Sequence, residues 1–334
     1  MPSTKTRVTL KEVAERAGVS RSAVSRTFTP GASVSASTRQ LVESAANELG
    51  YKPSVLASGL STGRTKLIGL VSNNFRNPFY LEVFDTFTTA LQNSDLRPLL
   101  VNLTEDFDAE RAQSMLQQYS VDGVVVASST LPPQFSTAFS NAGLPVVHAF
   151  ARHLENPNVD TVGIDNVTCG RLAALHLQEL GYKRLSFIGG PQTAASTTDR
   201  QAGFLDVAGT DCPIFYADDY AFDSGFDAMN RAIANGTPAD GYFCGDDVIA
   251  IGAKAALEAA GKSVPADVGL IGVNGMTISG WSNVNLTTFR QPVKSIVNAV
   301  IERLVELMDD PASPPRAIRF EPELIERGTL RQRH

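Results

Sequence analysis

Four polar side chains of the stretch SRSAVSRTF (20–28) can share one face: Arg21, Ser22, Ser25 and Arg26. A guanidinium offers paired donors that match the O6 and N7 acceptors of guanine. A hydroxyl can donate to a base edge or a phosphate. The spacing makes this chemistry usable. On a helical period Ala23, Val24 and Phe28 turn inward, leaving the arginines and serines on the outer face.

Two further helices must hold that face in place. In VTLKEVAERAG, Thr9 and Glu12 have the three-residue spacing of a capping box, and Leu10, Val13, Ala14 and Ala17 form one apolar stripe. Gly18 suits the left-handed position that stops the helix, and Ser20 caps the next one after a tight turn. A third helix begins at Ser35 and runs through Leu41, Val42, Ala45, Ala46 and Leu49 to Gly50. Short helix, tight turn, polar second helix and a third to close the core make a helix-turn-helix, whose second helix enters the major groove.

Charge supports that reading. The chain of 334 residues has a formal net charge of −6, but residues 1–66 hold 10 Lys or Arg against 4 Asp or Glu, and the remainder 19 against 31. A basic head on an acidic body is the footprint of a nucleic-acid arm on a second unit.

From Lys66 onward, apolar runs alternate with amphipathic stretches. LIGLVS (67–72), PLLVNL (98–103), DGVVVAS (122–128) and PVVHAF (145–150) form one series. TVGID (161–165), RLSFIGG (184–190), DGYFCG (240–245) and DVGLIGV (267–273) form a second. Near-continuous apolar strands separated by helices predict parallel sheets covered on both faces. The echo of DGVVV in DGYFC predicts two similar α/β lobes, with loops at the strand ends converging on a cleft.

Other function classes find little support. No apolar run approaches the roughly 18 residues of a membrane-spanning helix. MPSTKTRVTL has no signal-peptide stretch, so the Asn-x-Ser/Thr matches at Asn102, Asn166, Asn235 and Asn285 read as chance. Cys169, Cys212 and Cys244 are odd in number and widely spaced, which predicts free thiols in a reducing cytoplasm. There is no HExxH and no pattern among His148, His153, His176 and His334. GLSTGRT (59–65) is one residue short of a phosphate loop and carries Arg64 where lysine belongs. An enzyme is not expected, nor any catalytic residue, metal or cofactor. A sugar-binding receptor or carbohydrate enzyme on the same lobes is the alternative reading.

VTLKEVAERAGVSRSAVSRTF, VSASTR and ELGYKPSVLASGLSTGRT together resemble the head of a LacI/GalR-family bacterial transcription regulator, near-continuously over residues 8–72. The likeness continues through RNPFYLEV, VGIDNVTCGRLAALHLQELGYKRLSFIGGP, TTDRQAGF, GDDVIAIGAKAALEAAG, DVGLIGVNG and LTTFRQPV. It implies an all-α helix-turn-helix head (8–50), a hinge helix or linker (51–65), and an α/β body (66–334) like a type I periplasmic binding protein. The body is two doubly wound parallel-sheet lobes, about 66–162 with 291–320 and 163–290 with 321–334. The resemblance puts base reading on Arg21, Ser22 and Arg26, and phosphate contacts on Thr9, Ser20, Ser25, Ser35 and Thr38. Leu60 becomes the hinge leucine that wedges into the minor groove, with Val55 and Leu56 left for the paired hinge. Ser58-Gly59 stands where the family often has Arg-Ser, which implies a weaker hinge helix.

For the cleft, the resemblance implies effector contacts at Phe79, Tyr80, Ser196, Arg200, Tyr220, Asp246 and Asn274. Phe79 and Tyr80 are also placed to pack at a rim, and Asp246 to cap a helix over 247–260. The family commonly has Asn-Asp where this chain has Asp246-Asp247, and Asp where it has Asn274, so Asp246 is expected to accept the effector's hydroxyls. His148, in HAFAR, is expected as a strand residue beside the cleft. The implied protein is a cytoplasmic, nucleoid-associated repressor. It binds a pseudopalindromic operator on double-stranded DNA as a homodimer and responds to a small-molecule effector, a sugar or sugar derivative.

Overall fold

The computed structural model describes residues 8–29, 31–52, 63–104, 108–236 and 239–332. The chain divides into two compact units, one ending at Lys66 and one beginning at Leu67.

The first unit is three helices, α1 (Leu10–Ala17), α2 (Arg21–Thr27) and α3 (Ala36–Leu49). Each start is capped by the hydroxyl residue expected there. Thr9 accepts from the Glu12 amide while Glu12 reaches back to the Thr9 amide at 2.7 Å. Ser20 accepts from Ala23 and Ser35 from Thr38. Gly18 and Gly50 end α1 and α3 at φ 65° and 67°, where a Cβ would be strained. Val13, Ala14, Val24, Val42, Ala45 and Ala46 form the core, with Phe28 and Tyr51 packed against it.

The second unit carries two six-stranded sheets. The first contains β1 (Leu67–Ser72), β2 (Arg97–Asn102), β3 (Gly123–Ala127), β4 (Val146–Ala149), β5 (Asp160–Ile164) and β11 (Ala317–Phe320), in the order β11-β5-β4-β3-β1-β2. All its pairings are parallel. The second contains β6 (Leu185–Gly189), β7 (Ile214–Tyr216), β8 (Gly241–Cys244), β9 (Gly269–Asn274), β10 (Thr287–Arg290) and β12 (Glu323–Ile325), in the order β12-β10-β9-β8-β6-β7. Here β12 alone runs antiparallel.

The strand TVGID corrects the sequence reading. Expected to open the second series, it is β5 of the first sheet, pairing with β4 and with β11 (Ile164 opposite Phe320). An apolar run encodes burial on both faces but does not name its neighbour, so the assignment by order along the chain failed. The chain crosses between sheets after β5, after β10 and between β11 and β12.

The helices that position the cleft are α4 (Pro78–Asn93) on the first lobe, and α7 (Asn166–Glu179), α8 (Ala195–Ala208) and α10 (Asp247–Ala259) on the second. Helices α7 and α8 touch backbone to backbone. A Cβ on Gly170 would overlap the Arg200 carbonyl oxygen, and one on Gly203 the Val167 carbonyl oxygen. That close approach sets where α8 delivers Arg200. Phe79, Tyr80, Val83, Phe84 and Phe87 of α4 enter the first lobe's core.

Candidate functional site

On α2, Val24 and Thr27 face inward, Ser25 is half-buried, and Arg21, Ser22 and Arg26 are exposed. The Thr27 hydroxyl donates to the Ala23 carbonyl at 2.9 Å, so it is spent inside the helix. The side chains of Arg21 and Arg26 make no hydrogen bond or ion pair among the described residues, which leaves both guanidinium groups available.

Three of the residues expected at phosphates, Thr9, Ser20 and Ser35, are N-caps. They therefore mark helix N-termini, where backbone amides and the helix dipole favour an anion. Ser20 and Ser22 hydroxyls lie 2.8 Å apart, and Ser35 Oγ donates to Thr38 Oγ1 at 2.8 Å. Hydrogen bonds from the Thr9 amide and hydroxyl hold the Glu12 carboxyl below its ordinary range. Arg39, half-buried, is turned inward and donates to the Thr27 carbonyl at 2.9 Å. Leu60 lies outside the described residues, as do Val55, Leu56, Ser58 and Gly59.

In the second unit the residues expected around the cleft meet at a closed seam between the lobes. Asn77 caps α4: its Oδ1 accepts from the Phe79 amide at 3.0 Å, and its Nδ2 donates to Asp246 Oδ2 at 2.9 Å. Asp246 caps α10, with Oδ1 accepting from the Val248 amide at 2.8 Å. Its Oδ2 also accepts from Asn274 Nδ2 at 2.8 Å. One amide–carboxylate contact thus ties the start of a helix in each lobe. Asn274 Oδ1 accepts from Gln291 Nε2 at 2.8 Å. The Asn274 backbone sits at φ 117°, unusual for a side-chain-bearing residue, and these two bonds over-determine it.

Arg200 is 3% exposed. Its Nε donates to Asn166 Oδ1 at 2.8 Å and an Nη to the Gly245 carbonyl at 2.5 Å. Four residues earlier on α8, Ser196 lies 3.2 Å from the Tyr220 hydroxyl, as does Thr197. The Ser196 amide donates across the seam to the Ser129 carbonyl at 3.3 Å. The Tyr80 hydroxyl accepts from the Ser129 amide at 2.8 Å. Burial pushes the Tyr80 phenol up to about 12 and raises Tyr220 as well.

Phe79 and Tyr80 are not rim aromatics. They are 3% and 1% exposed and pack edge-on with each other and with Phe150 at 5.5–6.0 Å. Asp246 is the cap that its position before α10 allowed. Burial raises its pKa against the pull of the Val248, Asn77 and Asn274 donors and the Arg200 charge. His148 is a buried residue of β4, bonded to Ser136 and to the Ser128 carbonyl, and burial lowers its pKa to about 4.

Several residues here carried no sequence expectation. Asn77 announced itself only as Asn-Pro, a cap followed by the proline of a first turn. Asn166 and Gln291 gave no local signal. Arg152 bridges the lobes, with Nε 2.9 Å from Asp199 Oδ2 and Nη2 2.6 Å from Oδ1. It also donates to Thr198 Oγ1 at 2.5 Å. On the far side of the seam the Thr277 amide donates to Glu82 Oε1 at 2.9 Å. Among the described residues, no three His, Cys, Asp or Glu side chains come together as a metal site. Nor do the seam contacts pair a nucleophile with a base; they are matched donors and acceptors.

Residues 9–54 match the family model described as bacterial regulatory proteins, lacI family, and residues 174–330 that of a periplasmic binding protein-like domain. The chain is 30% identical over 330 residues to the HTH-type transcriptional repressor PurR of Pectobacterium atrosepticum, covering 96% of each. It is 31% identical over 333 residues to the HTH-type transcriptional regulator CelR of Thermobifida fusca, covering 96% of this chain and 98% of that one. A solved complex of CelR with cellobiose superposes with TM-score 0.72 at 27% identity, over 97% of this chain and all of that one. A lac repressor dimer bound to operator and the anti-inducer ONPF superposes with TM-score 0.86, and at 24% identity its likeness speaks to the fold.

Proposed function

The chain belongs to the lacI family of bacterial regulatory proteins, a family of DNA-binding transcription regulators and not enzymes, and from that premise we propose which of its residues act and how. Residues 8–50 read the operator, 51–65 form the hinge, and 66–334 carry the effector site and the dimer contacts. Arg21, Ser22 and Arg26 read base edges from α2. Thr9, Ser20, Ser25, Ser35 and Thr38 hold phosphates, and Leu60, on the sequence pattern alone, is the minor-groove wedge. Two copies occupy the two halves of a pseudopalindromic operator and repress transcription in the cytoplasm, at the nucleoid. The described residues include no helix long and apolar enough to cross a membrane.

The effector, a sugar or sugar derivative, enters at the seam and exchanges its hydroxyls for contacts now made by Phe79, Tyr80, Ser196, Arg200, Tyr220, Asp246 and Asn274. Asp246 takes hydroxyl hydrogen bonds in place of those from Asn77 and Asn274. Differential binding to the tied and untied seam shifts the lobes, and that shift changes how the heads fit the operator.

The observation that carries this reading is the outward, unpaired pair Arg21 and Arg26 on a capped second helix. Gel retardation with genomic fragments tests it. Sequence-specific binding should weaken steeply with salt. Arg26→Ala should cost about 1–3 kcal/mol and relax preference at one base position. Equal weakening on every sequence would reassign Arg26 to phosphate, and binding insensitive to both salt and Arg26 would overturn the assignment.

A further inference from the structure

Beside the seam lies a groove of about 920 Å³, lined among others by Asn73, Asn74, Asn77, Asn102, Phe135 and Asp219. It is continuous with the seam at two points. Asn77 lines the groove and also donates to Asp246. Asp219 lines it and precedes Tyr220, whose hydroxyl meets Ser196. Resting on the effector reading above, we infer that the effector is a saccharide of more than one ring, with its inner ring at the seam and its outer ring in this groove.

Size comes first. The volume stands near the top of the roughly 300–1,000 Å³ range of small-molecule sites, and one pyranose ring fills only a small part of it. The wall chemistry comes second. A carboxamide donates and accepts at neighbouring atoms, which matches adjacent sugar hydroxyls that each do both. Asn102 is exposed and its side chain makes no hydrogen bond among the described residues, so it is free to do this. The Asn74 side chain has a long 3.5 Å contact to Thr130 and a hydrogen bond with the Tyr80 hydroxyl, while the Asn73 amide is held by Thr130 and Ser128. Half-buried Phe75 and Phe135 provide apolar wall for the C–H side of a ring. Charge is the third argument. Among the described lining residues Arg76 is the lone cation, against the carboxylates of Asp108 and Asp219, a balance that suits a neutral polyol better than a phosphate or carboxylate.

The test is isothermal titration of the full chain. The probes are glucose, galactose and xylose, each beside its α- and β-linked disaccharides and trisaccharides. In at least one series the longer sugar should bind about tenfold tighter than its monosaccharide, a difference of about 1.4 kcal/mol. Asn102→Ala, which removes an exposed and unbonded side chain, should cut that ratio about fivefold, and Phe135→Leu should do the same. If no series gains with length, or the ratio survives both variants, the multi-ring inference is overturned. If no saccharide of any length binds, the saccharide class falls with it. Arg200→Ala separates the underlying reading: unchanged binding of every sugar there would overturn the seam as the inner site and leave the groove result standing.

Discussion

The two sets of candidate residues are built on opposite plans. On α2 the arginines are exposed and unpaired, held at the right spacing only by a cap below and a small apolar core behind. At the seam Arg200, Asp246 and Asn274 are almost wholly buried, and each already has protein partners. The difference fits what each is proposed to meet. Phosphate and base edges are strongly polar and stay hydrated until contact, so a DNA-facing side chain does best left free. An effector that must change the shape of the protein has to replace existing contacts, because only differential contacts shift an equilibrium. Loss of a side chain should therefore register in operator binding at the first region and in stability at the second.

Arg200→Ala should break that pattern most visibly if it is wrong. The substitution strands the Asn166 and Gly245 oxygens and opens a void between α8 and the seam. We expect about 3 kcal/mol of lost stability in the urea unfolding of the body. Arg26→Ala should stay within about 0.5 kcal/mol of wild type in the same measurement, since nothing in the fold leans on that side chain. Comparable losses in the two variants would erase the contrast.

Protonation sharpens it next. Asp247 is buried behind Asp246, accepting from Thr288 Oγ1 at 2.5 Å and from the Met276 amide at 2.8 Å. Burial, with Asp246 adding to it, pushes its pKa up to about 8. A carboxyl raised in the folded state contributes stability fully below its unfolded value near 4, and that stability drains away as pH rises through the folded value. His148 runs the other way: its pKa is lowered to about 4, so its contribution is full above about 6.5 and lost on acidification. Between pH 6.5 and 8 only the Asp247 slope remains of these two. Wild-type stability should fall across that window by about 1.5 kcal/mol, while Asp247→Asn should hold nearly level. Parallel curves would show that Asp247 is ionised throughout.

The head was far more legible in the sequence than the seam, for a physical reason. Caps and stripes are local: Thr9 with Glu12, Ser20 with Ala23 and Gly18 after Ala17 declare themselves within four residues. The resemblance points to Arg200, Asp246 and Asn274 as candidates, but not to the groups that hold them. Asn77 and Asp246 are 169 residues apart, and Asn274 and Gln291 meet only because β9 and β10 are parallel neighbours. No short pattern encodes such a pairing. The misplacement of β5 has the same root, since its partner β11 arrives more than 150 residues later. The aromatics Phe79 and Tyr80 illustrate a subtler limit. Their place at the start of α4 was readable, but whether that first turn faces solvent or the Phe150 ring depends on a neighbouring strand end.

Arg152 lies between the two plans, and its effect should be the smallest of the three. Its side chain is 37% exposed, closer to the head's arginines than to Arg200, yet it grips Asp199 through two nitrogens and ties the loop after β4 to the first turn of α8. That turn also carries Ser196, so the clamp acts on the same helix as the candidate effector contacts. Solvent screening limits a pair this exposed to about 1 kcal/mol. If the clamp favours the tied seam, Arg152→Ala should change effector affinity about fivefold at low salt, with the melting temperature nearly unmoved. The effect should shrink as salt rises, because salt weakens the wild-type pair and has nothing to weaken in the variant. A salt-independent change would mean that the loop is held by shape rather than charge, and no change at low salt would place Arg152 outside the lobe equilibrium altogether.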